Sequence, residues 1–474
     1  MGKGKNKIRV SFPGYNAFQV TGSMTLIDTA SLRILVETGL VQGGSTLEDW
    51  RANTRRLPFK PSEIDFIFIG HAHADHMLLI PRLYAMGCKA RIIAPVGTKR
   101  LFDIMSADSA YIIERDAEQL TRTYGKKFHP YYTADDAQAA SSFIEEHDFN
   151  VKINVRDDLA FRFIPSGHLL NAAQIELWVK SGNHSAKIGY TSDLGSRIPR
   201  RFINVFQPLD RCNLLIGECT YARELRPVTS KDRDKDLEKL KSIVQYVCVE
   251  NHGRVLIPVF ALDRAQNMAG FLFDLFGHDD SFTTPVLIDS PLALKMFDYM
   301  RTAASDEDRS FIEDMLSWSN LHLVESYEES HAWMESGRSC VVLSSAGMLT
   351  AGRSRRWATA LIPDPRSHIL FCGFSVENSL AGKLKSNSDK RSISIDGRKY
   401  KCRCGITDLH SFSGHMNRDG LLAYYSSIEA DKIALVHGEY EAKVEFAHEL
   451  QDAITDKGKS GRVICVNRST ELVI

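Results

Sequence analysis

His71-Ala72-His73-Ala74-Asp75-His76 puts three imidazoles and a carboxylate within six residues. Directly before it runs the apolar stretch Ile64-Asp65-Phe66-Ile67-Phe68-Ile69. That stretch predicts a buried strand that stops at Gly70. His71 and His73, two apart in an extended chain, can point to the same side, and the turn that follows aims Asp75 and His76 at a neighbouring point. Imidazole nitrogen and carboxylate oxygen without thiolate suit zinc, manganese or iron in a hydrolytic site better than a structural zinc held by cysteine. A histidine-rich surface loop is the plainer reading, and it fits poorly behind a buried strand.

A metal site needs ligands from elsewhere, and the chain offers them. Pro165-Ser166-Gly167-His168 follows the strand-like run Leu159 to Ile164, and Thr191-Ser192-Asp193-Leu194-Gly195 follows Ala186 to Tyr190. His437-Gly438-Glu439 follows Ile433-Ala434-Leu435-Val436. Each time a candidate ligand ends a buried strand, beside a glycine that permits close backbone approach.

Taken together, these segments resemble the metallo-β-lactamase superfamily. The opening fits as well: Val20-Thr21-Gly22-Ser23, Ile34-Leu35-Val36-Glu37-Thr38-Gly39 and Gln42-Gly43. That family usually carries Asp where this chain has Glu37, a residue that supports the metal ligands from behind. Later segments narrow the resemblance to the β-CASP branch of nucleases. They are Glu218-Cys219-Thr220-Tyr221, Pro258 to Gln266 with Asp263 where glycine is usual, Asp289-Ser290-Pro291-Leu292-Ala293, Ser344-Ser345-Ala346-Gly347-Met348-Leu349 and Ser411-Phe412-Ser413-Gly414-His415. The resemblance runs from about residue 8 to 474.

It implies an α/β protein, a metallo-β-lactamase αββα sandwich with an inserted α/β β-CASP domain. The ligand positions place the sandwich at 1–208 and 395–474 and the insert at 209–394. By the same resemblance, His71, His73 and His168 hold one metal ion, Asp75, His76 and His437 hold a second, and Asp193 bridges them. The cofactor expected is a pair of divalent ions, zinc with manganese as the alternative. Glu218, His415 and Asp75 are assigned to catalysis, with Glu218 orienting His415 and keeping it protonated so that it acts as general acid. Ser344 to Gly352 reads either as a backbone nest for phosphate or as an ordinary strand-to-helix turn. Ser345, Gly347 and Arg353 are the phosphate-binding candidates.

The activity implied is cleavage of RNA, single-stranded by preference, as in the bacterial and archaeal β-CASP ribonucleases and the nuclease subunit of the cleavage and polyadenylation machinery. A DNA nuclease similar to Artemis is the alternative; that group commonly has valine at the last histidine, so His437 favours RNA. A partner-dependent subunit of a nuclease complex is another. A non-catalytic scaffold is disfavoured because all seven ligands are present. Expected partners are an RNA substrate and a homodimer mate or other protein that directs target choice.

Bulk properties decide less. The 474 residues exceed one ordinary core, so two domains are expected. Lys plus Arg and Asp plus Glu stand at 59 each, so no global basic field advertises nucleic acid and any phosphate-binding charge must be local. Nine scattered cysteines suggest a reducing cytoplasm, and Cys402-Arg403-Cys404 reads as part of a strand rather than a zinc site. The basic stretch Met1 to Lys7 is followed by no apolar run, so neither a signal peptide nor a membrane span is expected. Thr229 to Lys241 reads as the exposed face of a helix.

Overall fold

The computed structural model describes residues 7–223, 229–373, 375–386, 392–395 and 397–474. The chain divides into two compact units: Met1–Arg197, Ile203–Pro227 and His415–Ile474 form the first, Ile198–Phe202 and Val228–Gly414 the second.

Two seven-stranded sheets make up the first unit. One runs in the order Glu471–Val473, Arg9–Ser11, Thr25–Asp28, Arg33–Val36, Phe66–Phe68, Arg91–Pro95, Ile144–His147. The other runs Arg462–Cys465, Ala430–Val436, Cys212–Glu218, His184–Tyr190, Ala173–Ser181, Leu159–Pro165, Ile153–Arg156. Their facing side chains, among them Val10, Ile27, Ile34 and Phe68 from the first sheet and Phe161, Ile175, Leu177 and Ile216 from the second, form one core. Phe68 and Phe161 meet edge to face at 5.4 Å, a geometry worth ~0.5–1.5 kcal/mol beyond the area it buries. On the outer face of the second sheet, helices Arg418–Ser427 and Tyr440–Asp456 pack through Leu421, Tyr425, Phe446 and Leu450. This is the αββα sandwich expected.

Strand direction is what builds the site. His184–Tyr190, Cys212–Glu218 and Ala430–Val436 are parallel neighbours, so their C-terminal ends share one edge of the sheet. Leu159–Pro165 runs the same way, being antiparallel to Ala173–Ser181, which is itself antiparallel to His184–Tyr190. Arg33–Val36 and Phe66–Phe68 are likewise parallel in the other sheet. Loops at the C-terminal ends of such strands are where α/β folds collect functional side chains.

In the second unit six parallel strands lie in the order Leu321–Leu323, Val286–Asp289, Cys340–Ser344, Arg254–Pro258, His368–Phe371, Gly405–Asp408. Val255, Leu256, Ile257, Val341, Val342 and Leu343 are all fully buried, the continuous apolar runs of a sheet covered on both faces. Helix Arg264–Phe276 opens directly after Asp263. Ser230–Val244 starts in a capping box between Thr229 and Asp232, and buries Arg233, Leu240 and Val244 on its inner face.

Three sequence expectations need correction. The boundary at 208/209 falls too early, because Cys212–Glu218 is a central strand of the sandwich, and that at 394/395 also falls too early, because Gly405–Asp408 pairs with His368–Phe371 in the second unit. A short apolar strand reads the same whichever sheet accepts it. Cys402 and Cys404 lie in the connection between strands Arg398–Lys401 and Gly405–Asp408, not along a strand. Burial pushes both thiols up, Cys404 to about 12, which keeps them protonated. Among the described residues, no helix is long and apolar enough to cross a membrane.

Candidate metal centre

His71 leaves the end of strand Phe66–Phe68, and His73 caps the short helix Ala74–Met77 that carries Asp75 and His76. Backbone bonds hold this turn against the preceding strands: Ser23 N to the Asp75 carbonyl at 2.8 Å, Thr38 N to His76 at 2.7 Å and Leu40 N to Ala74 at 3.0 Å. That approach requires Gly39, where a Cβ would lie 1.7 Å from the Asp75 carbonyl oxygen.

His168, Asp193 and His437 arrive from the shared edge of the second sheet. Nε2 of His71 and Nε2 of His168 lie 3.1 and 3.2 Å from His73 Nδ1. Asp193 Oδ2 lies 3.5 Å from His71 Nε2, 3.3 Å from His76 Nε2 and 3.6 Å from His168 Nε2, and Oδ1 is 3.4 Å from His437 Nδ1. Asp75 Oδ2 lies 3.3 Å from His437 Nε2 and 3.6 Å from His76 Nε2. Among the described residues three groupings of donor atoms, each within 4.8 Å, could hold an ion: Glu37, His71 and His76, whose carboxylate already accepts from His76 Nδ1, and two that open on the site, His71, His73, His168 and Asp193, and Asp75, His76 and His437. Asp193 touches members of both.

Electrostatics favour a cation here. Burial drives His71 and His168 well below the usual imidazole value and His73 to about 4, leaving neutral rings with free lone pairs. For His76 and His437 burial also opposes charge, but the carboxylates of Asp193, Glu37 and Asp75 around the first, and of Asp193 and Asp75 around the second, raise them instead. Asp193 and Asp75 are held below the usual carboxylate range, because His76 and His437 outweigh burial. Among the described residues, His76 Nε2 and Asp193 Oδ1 are buried without a hydrogen-bond partner. A nitrogen–oxygen donor set with orphaned atoms turned into it fits divalent ions, whose binding would displace the His76 proton.

Glu37 sits behind the ligands, fully buried. Its carboxylate accepts from His76 Nδ1 at 2.7 Å, Tyr190 Oη at 2.7 Å and Ser192 Oγ at 2.5 Å, and Ser192 Oγ also meets His71 Nδ1 at 2.9 Å. A Cβ on Gly70 would lie 2.4 Å from Ser192 Oγ and 2.8 Å from Glu37 Oε1, so glycine clears room for this support. Tyr190 and Ser192 were not singled out from the sequence, and neither was Thr220, whose Oγ1 is 3.0 Å from His437 Nδ1. Only their place next to Asp193 and Glu218 hinted at them. We expect Glu37→Gln, which can no longer accept all three bonds, to lower metal affinity ~10–100-fold. Titration with a competing chelator measures it, and an unchanged affinity would deny Glu37 that role.

Glu218 ends its strand with Oε1 accepting from Leu194 N at 3.1 Å and Oε2 from Thr220 N at 2.7 Å. Oε1 also lies 3.4 Å from His415 Nδ1, and His415 Nε2 points inward, 4.0 Å from Asp193 Oδ2. All seven candidate ligands, Glu37 and the Glu218–His415 pair therefore converge within the first unit.

The phosphate-binding candidates belong to the second unit. Arg353 is committed elsewhere: its guanidinium donates to Asp289 Oδ1 at 2.6 Å and to the Val324 and Glu325 carbonyls. Buried Asp289 also accepts from Trp357 Nε1 and Ser330 Oγ, both at 2.6 Å, so Arg353 closes a structural network rather than offering a free fork. Ser345 Oγ pairs with Ser290 Oγ at 2.6 Å, and Gly347 lines a cleft.

Fold and site together define a metallo-hydrolase of the metallo-β-lactamase architecture. Residues 265–384 match the Beta-Casp domain, and residues 399–459 match the Zn-dependent metallo-hydrolase RNA specificity domain. The chain therefore carries a Beta-Casp domain followed by this RNA specificity domain. It is 27% identical over 435 residues to a ribonuclease of Thermus thermophilus, covering 90% of this chain and 92% of that one. It is 26% identical to a transcription termination factor, FttA, of Methanocaldococcus jannaschii, covering 94% of this chain and 69% of the relative. Cleavage and polyadenylation specificity factor 73 of Drosophila melanogaster is 27% identical over 92% of this chain and 62% of its own length. A crystal structure of an Enterococcus faecalis protein of unknown function matches the fold with a TM-score of 0.51 at 12% identity, over 99% of this chain and 100% of that one.

Proposed function

We propose that this chain is a metal-dependent phosphodiesterase that cleaves RNA, with single strands preferred. The observation that carries the reading is the donor set around Asp193, together with the Glu218–His415 pair facing it. The relatives named as a ribonuclease and as a cleavage and polyadenylation factor support RNA as the substrate.

His71, His73 and His168 would hold one divalent ion, Asp75, His76 and His437 a second, with Asp193 shared. When bound, such a pair supplies an activated water and Lewis-acid charge for in-line displacement at phosphorus. The protein's own groups do the rest. Glu37 fixes the His76 ring with Nδ1 bonded and Nε2 turned into the site. Glu218, itself pinned by two backbone N–H groups, orients His415 through its Nδ1. His415 then gives its proton to the departing ribose oxygen, and a proton taken up from solvent restores the starting state. Zinc suits these ligands, and manganese accepts the same donors.

End-labelled single-stranded RNA and DNA of matched sequence, incubated with the zinc- or manganese-loaded protein and resolved on a sequencing gel, test the assignment. We expect RNA cleavage that stops when a strong chelator removes the metal. Cleavage of DNA alone, or RNA cleavage indifferent to chelation, would sink it. The same gel reads whether cuts are internal or progress from an end.

A further inference from the structure

Arg264 opens helix Arg264–Phe276 and is nine-tenths buried. Among the described residues its guanidinium has no hydrogen-bond or ion-pair partner, and its Nε is sealed from solvent. A buried charge left unpaired is costly and persists in folded proteins where a ligand completes it. The nearest carboxylate does not serve it. Asp263, in a positive-φ conformation at the cap of the same helix, gives its carboxylate to Arg200 Nη1 at 2.7 Å and Asn267 Nδ2 at 3.1 Å.

The local field compounds this excess of positive charge. Arg200 Nη1 and Arg264 Nη2 both lie 3.1 Å from the position a Cβ on Gly414 would take. Arg233 is close enough that burial, with Arg264 and Arg200 beside it, holds it at about 10, and its own Nε is committed to the Ser411 carbonyl at 2.8 Å. Arg200 takes the Asp263 carboxylate and Arg233 has Asp236 and Asp234 near it, while Arg264, unpaired among the described residues, lines a cleft with Pro258, Phe260, Gly347, Gly373 and Ser375. Gly347 brings its backbone against Val259 and Phe260, where a Cβ would sit 3.2 Å away. Phe260 keeps 38% of its surface exposed at this cleft. A guanidinium fork beside an exposed aromatic ring is the pairing that takes one nucleotide, phosphate on the cation and base on the ring.

We propose that this cleft is a nucleotide subsite, in which Arg264 takes an internal phosphodiester of a single-stranded polynucleotide and Phe260 stacks on the adjoining base. The occupant rests on the RNA reading above; the demand for an anion does not.

The test uses the metal-loaded chain and a fluorescent phosphorothioate oligoribonucleotide that resists cleavage, titrated across a range of salt. Arg264→Met should weaken binding about 10-fold and flatten the log–log salt slope by about 0.7, the share of one single-strand phosphate. Ser375→Asp, at a half-buried position, supplies a competing carboxylate and should act in the same direction without removing the arginine. Phe260→Ala should weaken binding about 10-fold with the slope unchanged, since stacking releases no counterions. Metal content stays at the parent level in all three. Inorganic phosphate should raise the melting temperature of the parent and not that of Arg264→Met. Parent-like affinity and slope in Arg264→Met overturn the subsite, and where that variant does not fold, the same result in Ser375→Asp does so. If the parent cleaves RNA in such a case, the proposed activity stands alone. If the parent neither cleaves nor binds RNA, the nucleotide assignment falls with the activity, even where phosphate stabilises through Arg264.

Discussion

Asp193→Ala should abolish hydrolysis and strip metal from the protein together. Its two oxygens reach toward His71, His76 and His168 on one side and His437 on the other, so no other side chain can replace its charge between the two groupings. Without it, the two donor groupings would lack the carboxylate between them that offsets the charge of divalent ions. Elemental analysis of the purified variant should find metal occupancy well below the parent, and RNA cleavage should be undetectable. An Asp193→Ala protein that cleaves at the parent rate would overturn the ligand assignment. Asp193→Asn is the stricter form, since it keeps the shape and removes the charge; it should lose metal as well.

His415→Ala should separate chemistry from metal binding. Its ring bonds to Glu218 and its Nε2 stands 4.0 Å from Asp193, facing the site without belonging to either donor grouping. Metal content should therefore match the parent while turnover falls ~10²–10⁴-fold, the usual worth of a general acid. Glu218→Gln should fall in the same class, because it leaves His415 unoriented. His437→Ala should fall in the other class, weakening the metal that Asp75 and His76 would share. A substrate with sulfur at the leaving position needs little protonation and should rescue His415→Ala more than the parent. Loss of metal from His415→Ala, or a parent-like rate on ordinary RNA, would end the general-acid role.

The sequence alone was enough for the candidate ligands, which rest on local rules, and for the sandwich through the family resemblance that its motifs carry. An apolar run followed by His or Asp beside glycine reads as a strand end carrying a polar group, and parallel strands then bring such ends to one edge. His71, His73, Asp75 and His76 needed only their own spacing, and His168, Asp193 and His437 only their place after a buried strand. What tertiary structure decided depends on partners distant in sequence. Glu37 differs from the aspartate common in its family, yet it reaches His76, Tyr190 and Ser192, since Gly70 leaves room for the longer arm. Arg353 and Arg264 look alike in sequence, each in the first turn of a helix. Asp289 claims the first, while Asp263 turns to Arg200 and leaves the second unpaired. The domain boundaries followed the same logic: Cys212–Glu218 is an apolar strand by sequence, and its pairing between His184–Tyr190 and Ala430–Val436, the latter more than two hundred positions away, assigns it to the sandwich. Periodicity and spacing report what each segment can do for itself. Which charge meets which, across long sequence separations, is settled by packing.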